Sequence, residues 1–154
     1  MLTTSDSDPG ILEWLKDEHG YIPALDTFTI ANRSDQNDAI LGCLVFFHHP
    51  KFNDDDNSIS LVAASDGSGK WFNKSMRAAL FGYPFLVLQK DRILGVIDED
   101  LDHDLRFWEK QGARPAPESD PKPREGNVLY EFPKEDADLD NPLIYQVLED
   151  LDLT

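Results

Sequence analysis

Residues 58–71 have the sequence SISLVAASDGSGKW, in which an apolar run leads into a turn that contains two glycines. The run from Ser58 to Ala64 is typical of a strand, whereas the apolar residues beyond the turn recur at helical spacing. That helical segment begins at Lys70 and ends at Phe81, and its apolar positions are Trp71, Phe72, Met76, Ala79 and Leu80. The sequence therefore predicts a strand, a glycine-rich turn and a helix in direct succession.

A further strand is predicted after this helix, from Phe85 to Leu88, because that run is apolar and follows Pro84. A strand, a helix and a second strand imply a right-handed crossover that joins a parallel pair. The next apolar segment, Ile93 to Ile97, either extends this strand region or forms a separate short strand.

The chain before residue 58 predicts a helix followed by an antiparallel meander. Asp8 and Pro9 indicate a helix start, with Asp8 as the capping carboxylate, and the helical spacing ends near Gly20. Two strands, 27–31 and 40–47, flank a polar turn and predict a hairpin, to which strand 58–64 adds a third member.

The chain after residue 100 predicts a helix, a loop, a strand and a final helix. Leu101, Leu105 and Trp108 follow helical spacing, which predicts a helix over 102–111, and residues 127–132 alternate as a strand. Residues 1–134 form the predicted main domain, and residues 135–154 form an acidic segment with an amphipathic helix at 141–152. The apolar face of that helix is expected to bury on this domain or on a protein partner.

Composition indicates one acidic domain. The chain has 154 residues, 40% of them apolar, and a formal net charge of −16. This charge repels phosphate backbones and anionic lipids, so nucleic acid and membranes are not expected as partners, while a cationic amine is attracted. The charge also favours solubility.

The single cysteine, Cys43, and the lack of a signal peptide or a span of roughly 20 apolar residues predict a cytoplasmic protein.

Two local motifs resemble those of the GNAT N-acetyltransferase superfamily. The segment Asp66-Gly67-Ser68-Gly69-Lys70-Trp71, between a strand and a helix, resembles the family's pyrophosphate loop. Glycines let the backbone approach phosphates, and successive N–H groups at a helix N-terminus bind anions. The segment Phe107–Pro115 resembles the family's F-Y-E-K-x-G-F-x-P signature. The order of predicted elements is also that of the family, so we interpret the chain as a divergent member.

The resemblance implies a fold, a coenzyme and an activity. The fold is of the α/β (α+β) class, a bent mixed sheet of about six strands with helices on both faces plus the C-terminal helix. Acetyl-CoA is the implied coenzyme, with its arm in a split between strands 58–64 and 85–88, and the implied activity is acetyl transfer to an amine on a small molecule or protein. The residues implied to bind acetyl-CoA are Val62, Ala63, Ala64, Asp66, Gly67, Ser68, Gly69, Lys70 and Trp71.

The chain departs from the family pattern at two functional positions. Ala64 stands where the family has Arg or Gln, and Trp108 stands where it has a catalytic Tyr. An indole N–H is a donor only and too weak an acid to protonate a thiolate. The catalytic residue stays open, and the candidates are Trp108, Glu109 and His48.

Other functions remain open from the sequence. A catalytically silent GNAT-fold module, which contacts a partner through the 141–152 helix, would explain the two departures. An acidic inhibitor that mimics DNA would explain the charge. Residues 64–70 also approach a nucleotide-binding P-loop, but Trp71 replaces the Ser or Thr that such a loop needs for Mg²⁺. No metal site is expected, because adjacent histidines such as His48 and His49 point to opposite faces of a strand.

Overall fold

The computed structural model describes residues 1–24 and 26–154, which form a seven-stranded mixed sheet with helices on both faces. The strand order is β1-β2-β3-β4-β5-β7-β6; β4 and β5 are parallel, and every other neighbouring pair is antiparallel. The elements are β1 (Leu2–Thr4), α1 (Gly10–His19), β2 (Phe28–Arg33), β3 (Ile40–Phe47), β4 (Ser58–Ser65), α2 (Lys74–Gly82), β5 (Arg92–Asp98), α3 (Asp102–Lys110), β6 (Arg114–Pro115), β7 (Asn127–Pro133) and α4 (Pro142–Asp150).

The predicted fold class is confirmed, and the two faces of β3 show how the layers form. Its residues alternate between the faces, so Cys43 and Val45 pack with α1, while Leu44 and Phe46 join the larger core that contains α2. This double coverage explains the nearly continuous apolar run of β3. None of the helices within the described residues is long and apolar enough to cross a bilayer.

The predicted strand from Phe85 to Leu88 is wrong. Residues Tyr83–Val87 continue α2 as a π-helical turn, in which Phe85 is fully buried. A short apolar run that is buried on all sides has no period that distinguishes strand from helix. The parallel partner of β4 is instead β5, the segment whose role the sequence left open.

The predicted start of α2 at Lys70 is also wrong. The helix starts at Lys74, and the side chain of Asn73 caps it by accepting the N–H of Met76 at 2.8 Å. An apolar residue occurs at position 71 because this side chain packs on β3. A Cβ added to Gly42 of β3 would lie 2.5 Å from the Cγ atom of Trp71. The apolar residue at position 71 thus extended the helical spacing beyond the true start of α2, although a tertiary contact and not a helical turn accounts for it.

The C-terminal helix α4 packs on α2 of the same chain. Ile144, Val147 and Leu148 are buried, and a Cβ on Gly82 of α2 would meet Ile144 Cγ2 at 2.8 Å. The two helices therefore approach closely, and the apolar face predicted from the sequence is covered within the chain.

The predicted capping role of Asp8 is wrong in detail, because α1 begins after Pro9 with no side-chain cap. The Asp8 carboxylate accepts from Arg33 Nε at 2.7 Å and Nη2 at 2.9 Å, and from the Thr3 hydroxyl at 2.7 Å. Asp8 thus ties the entry of α1 to β2. The hydrogen bond from Arg33 is the main cause that lowers the pKa of Asp8 below its ordinary value of 3.8.

We expect the fold to lose stability in acid through Asp8 and Asp120. Arg92 likewise lowers the pKa of Asp120. A carboxyl whose pKa is lower in the folded chain stabilises the fold above its unfolded pKa, near 3.8, and loses this contribution as the pH falls through the folded pKa. Asp8→Asn and Asp120→Asn should each cost about 1–3 kcal/mol at pH 7 and reduce the fall in stability below pH of about 4. Urea unfolding at neutral and acid pH measures the cost at pH 7 and the fall in stability in acid. If the variants lose as much stability in acid as the unaltered chain, Asp8 and Asp120 are not the cause of that loss.

Candidate functional site

The parallel strands β4 and β5 separate near the middle of the sheet. They pair from Ser58 opposite Arg92 to Ser60 opposite Leu94. Beyond that point β4 continues against β3 as far as Ser65, while β5 continues against β7 as far as Asp98. From Leu61 onward, the edge of β4 that faces β5 therefore has backbone N–H and C=O groups outside the ladder.

A cleft of about 200 Å³ occupies this split, with α3 along one side. Three exposed apolar side chains line it, namely Val62 (37% exposed), Val96 (44%) and Leu101 (49%). They account for three of the seven large apolar side chains exposed in the described part of the chain. A cluster of apolar side chains left in water at one cleft indicates a binding surface for an apolar group.

The loop 66–70 leaves the open end of β4 and is tied down on both sides. The N–H of Asp66 donates to Leu41 O at 2.9 Å, and Asn32 Nδ2 donates to Trp71 O at 2.8 Å in a buried position. Gly67 and Gly69 have φ values of +84° and +76°, a region that favours glycine. The two glycines of the motif are therefore required by the path of the loop itself.

The loop satisfies several of its own donors. Asp66 Oδ1 accepts the Ser68 N–H at 2.9 Å and the Ser68 hydroxyl at 2.6 Å, and the hydroxyl bond is the main cause that lowers the pKa of Asp66. The N–H groups of Gly67 and Lys70 donate to the Ser65 and Ser68 hydroxyls at 3.3 Å each. A phosphate that binds the two Ser68 donors must replace the Asp66 carboxylate as their acceptor.

The loop does not lie at the N-terminus of a helix, as the sequence predicted. Trp71, Phe72 and Asn73 separate it from α2, which begins at Lys74. The partial positive charge of a helix N-terminus falls off within one turn, so it adds little to anion binding at Gly67 and Gly69. Lys70 remains as the exposed cation of the loop.

Trp71 and Trp108 belong to one aromatic cluster beside the cleft. Phe72 lies between them, with ring centroids 5.1 Å from Trp71 and 6.2 Å from Trp108, and Phe107 completes the group. Trp71 is buried, whereas Trp108 is half-buried and lines the cleft. The side chain that replaces the family's Tyr is therefore part of the cleft wall.

A phenol that the sequence analysis missed also lines the cleft. Tyr130 of β7 lies opposite Gly95 of β5 and donates its hydroxyl to Glu109 Oε1 at 3.1 Å. Burial, with a smaller effect of the hydrogen bond to Glu109, raises the pKa of Tyr130 above 10.0. The alternation of residues 127–132 was visible in the sequence, but the register that brings Tyr130 beside α3 was not.

The candidate His48 lies away from the cleft. It follows β3 at the end where Phe47 pairs with Ser60, whereas the split opens toward Ser65 at the other end of β4. His48 Nε2 is 2.8 Å from Asn53 O, which holds the ring within its own loop. Across the described residues no group of three or more His, Cys, Asp or Glu side chains is placed to hold a metal ion.

Comparison with solved structures places this fold among GNAT acetyltransferases. A spermidine/spermine N-acetyltransferase from Vibrio cholerae is similar over 83% of this chain and 76% of its own, at 15% identity and a TM-score of 0.55. A GNAT-family acetyltransferase from Bacillus anthracis is similar over 71% of this chain and 67% of its own, at 18% identity and a TM-score of 0.51. An N-acetyltransferase from Campylobacter jejuni is similar over 82% and 79% of the two chains, at 12% identity and a TM-score of 0.50.

Sequence comparison adds no closer relationship. No family profile matches the chain, and no curated protein matches it. At identities below 20% the likeness concerns the fold: the chain has the GNAT fold with a divergent sequence.

Proposed function

We propose that the protein is an acetyl-CoA-dependent N-acetyltransferase that acts on an amine. The observation that carries the proposal is the cleft between the diverging strands β4 and β5, which has an exposed apolar lining and is also lined by Tyr130, the donor to Glu109. At about 200 Å³ the cleft is smaller than the roughly 300–1,000 Å³ of a pocket for a whole ligand, which suits an extended arm rather than a nucleotide.

The chain offers two sets of groups to the coenzyme. The free edge of β4 at Val62, Ala63 and Ala64 offers backbone hydrogen-bonding groups to an amide-bearing arm. Phosphate can bind the N–H groups of Gly69 and Trp71 and the Lys70 side chain. The two N–H groups donate to no acceptor in the described residues. When bound, acetyl-CoA supplies the acetyl group as an activated thioester.

An amine acceptor fits the charge around the cleft. Asp98 and Asp104 line it, and the chain as a whole has a net charge of −16. A negative field raises the local concentration of cations and so favours an ammonium-bearing small molecule or peptide. The Vibrio cholerae protein that shares the fold is, by its name, a polyamine acetyltransferase, which is consistent with a cationic acceptor here.

Tyr130 and Glu109 are the groups we assign to proton transfer. The ammonium of the acceptor first releases one proton to water. Acetyl transfer from sulfur to the neutral amine then removes a second proton from the nitrogen and adds one to the sulfur, so a site benefits from a donor and an acceptor. Tyr130 is protonated at neutral pH, since the ordinary pKa of a phenol is about 10 and burial raises it further here. Glu109 Oε1 lies within hydrogen-bonding distance of its hydroxyl. A proton accepted at Glu109 can thus return to Tyr130 Oη. Trp108 then contributes to the shape of the cleft rather than to proton transfer.

We expect Tyr130→Phe to lower kcat about 100-fold, with little change in KM for the coenzyme, because only the proton donor is removed. Release of free thiol from acetyl-CoA, in the presence of a panel of small amines, measures the rate. Tyr145→Phe on the exposed face of α4 is the matched control and should leave the rate unchanged. Full activity in Tyr130→Phe would remove Tyr130 from the mechanism.

Binding of acetyl-CoA, measured by calorimetry, tests the proposal as a whole. We expect a Kd near 1 μM, about −8 kcal/mol. The alternative function, a catalytically silent GNAT-fold module, is favoured by one observation: the Asp66 carboxylate already occupies donors of the loop. Absence of binding at millimolar acetyl-CoA would establish that alternative.

The buried thiol of Cys43 suits a reducing compartment, and we propose the cytoplasm.

A further inference from the structure

A second cavity, of about 590 Å³, lies between α2, the end of α3 and the C-terminal segment that carries α4. This volume falls within the roughly 300–1,000 Å³ that is usual for small-molecule sites. Of the described residues that line it, none belongs to the loop 66–71, so it is separate from the coenzyme groups proposed above. Its floor is apolar and is formed by Ala78, Phe81, Phe132, Leu143 and Ile144.

One wall of this cavity is cationic, in a chain that is otherwise strongly acidic. Lys74 and Arg77 come from the N-terminal half of α2, whose first turn contains no acidic residue. Acidic residues are favoured at that end of a helix, and the chain has 30 of them against 14 basic ones. Two cations at this position therefore run against both the helix dipole and the composition, which indicates that they face an anion.

The Arg77 guanidinium is held in place by contacts that leave one edge free. Its Nε donates to Gln111 Oε1 at 3.1 Å, and its central carbon lies 5.1 Å from the centroid of the Phe81 ring. Neither Nη1 nor Nη2 donates to an acceptor within the part of the chain that is described. The Nη1–Nη2 edge is the fork that binds a carboxylate through two parallel hydrogen bonds.

The opposite wall is anionic. Asp136 and Asp138 lie on the segment that leads to α4. Asp138 Oδ1 accepts the Asp140 N–H at 3.2 Å, which orients the carboxylate, while Oδ2 accepts from no donor among the described residues. Arg114 Nη1 lies 3.5 Å from Asp136 Oδ2, but no ion pair joins the two walls in residues 1–24 and 26–154, so Lys74, Arg77 and Asp138 remain available to a ligand.

We infer that this cavity binds a small apolar α-amino acid. The carboxylate pairs with Arg77 and Lys74, the ammonium pairs with Asp138, and the side chain lies on the apolar floor. The cavity thus neutralises both ends of a zwitterion, whereas a plain anion or a plain cation would meet one wall of its own sign. This site does not depend on acetyl transfer, and its test uses binding alone.

Titration of the whole chain with L-leucine tests the inference. We expect a Kd of about 0.1–1 mM, and at least tenfold weaker binding of N-acetyl-L-leucine, which lacks the ammonium, and of L-leucinamide, which lacks the carboxylate. Amide and methyl shifts of Gly112 and Ile144, which line the cavity, should report the location by NMR. Equal binding of all three compounds, or no binding of L-leucine at about 10 mM, would overturn the inference.

Charge variants locate the two ends of the ligand. Arg77→Gln and Asp138→Asn should each weaken L-leucine binding at least tenfold, because each removes one ion pair from a shared site. Lys16→Gln and Asp17→Asn, on the exposed surface of α1, remove the same charges elsewhere and should leave binding unchanged. Equal losses in all four variants would indicate a nonspecific effect of charge. Binding of adenosine 3′,5′-bisphosphate in competition with L-leucine would assign the cavity to the nucleotide end of the coenzyme instead.

Discussion

Replacement of Arg92 by Met should destabilise the fold by about 3–5 kcal/mol, which makes it among the most damaging single changes we expect in this chain. Glu131 of β7 is buried, with 3% of its side chain exposed, and accepts from Arg92 at 3.0 Å and from Arg114 at 2.9 Å. Arg92 also binds both oxygens of Asp120, at 2.8 and 2.9 Å. Its loss leaves the largely buried Asp120 without its cation and leaves the buried Glu131 with Arg114 alone.

The cost arises from the unpaired charge of Asp120 and the reduced compensation of Glu131 rather than from the strength of the ion pairs. A buried pair contributes little net stability against an apolar substitute, but removal of one partner leaves a desolvated charge. The double variant Arg92→Met, Glu131→Leu should therefore be more stable than Arg92→Met alone. Arg124→Met removes an exposed arginine and should change stability by less than about 0.5 kcal/mol.

Urea unfolding followed by tryptophan fluorescence measures these differences, since the chain has three tryptophans. A change of under about 1 kcal/mol in Arg92→Met would mean that Arg114 or water compensates the charge of Glu131 without Arg92. In that case Arg92 would have no structural role. A large loss of stability in Arg92→Met, part of which the double variant recovers, would establish that structural role.

Elements with a clear period could be predicted from the sequence. Strand 40–47 matches β3, because its continuous apolar run is bounded by polar turns, and helix 102–111 differs from α3 by one residue, because helical spacing extends over the whole segment. The segments that failed are those in which buried contacts decide the conformation. Phe85 lies in a π-helical turn within the core, and Trp71 packs on Gly42 although it occupies a helix-like position.

The site could be predicted only as far as one segment determines it. Val62, Ala63 and Trp108, which the resemblance selected from motifs of contiguous residues, line the cleft, whereas their roles toward a coenzyme stay predictions. Tyr130 could not be found, since its place depends on the register of β7 against β5. The partner strand of the split was misassigned for the same reason, as strand pairing is a nonlocal property of the chain.

Replacement of Gly95 by Leu should abolish acetyl-CoA binding while the fold persists. Gly95 lies in the interior of β5, where a glycine often marks the close approach of a ligand. A Cβ at this position would be 3.6 Å from Leu61 O, which is an ordinary contact, and no other non-neighbouring atom of the described residues lies within 4 Å of it. Backbone strain is therefore absent, and a longer side chain would extend into the cleft beside Tyr130.

The expected Kd rises from about 1 μM to above about 1 mM, a loss of at least 4 kcal/mol. Gly95→Ala is the graded control, because its methyl group fits the observed space and should cost little affinity. Thermal unfolding of both variants checks that the sheet is intact. Retained binding in Gly95→Leu would place the coenzyme outside the cleft and remove the observation on which the proposed function depends. Loss of binding in Gly95→Leu alone would assign the coenzyme arm to the split between β4 and β5, because the two variants differ only in how far the side chain reaches into it.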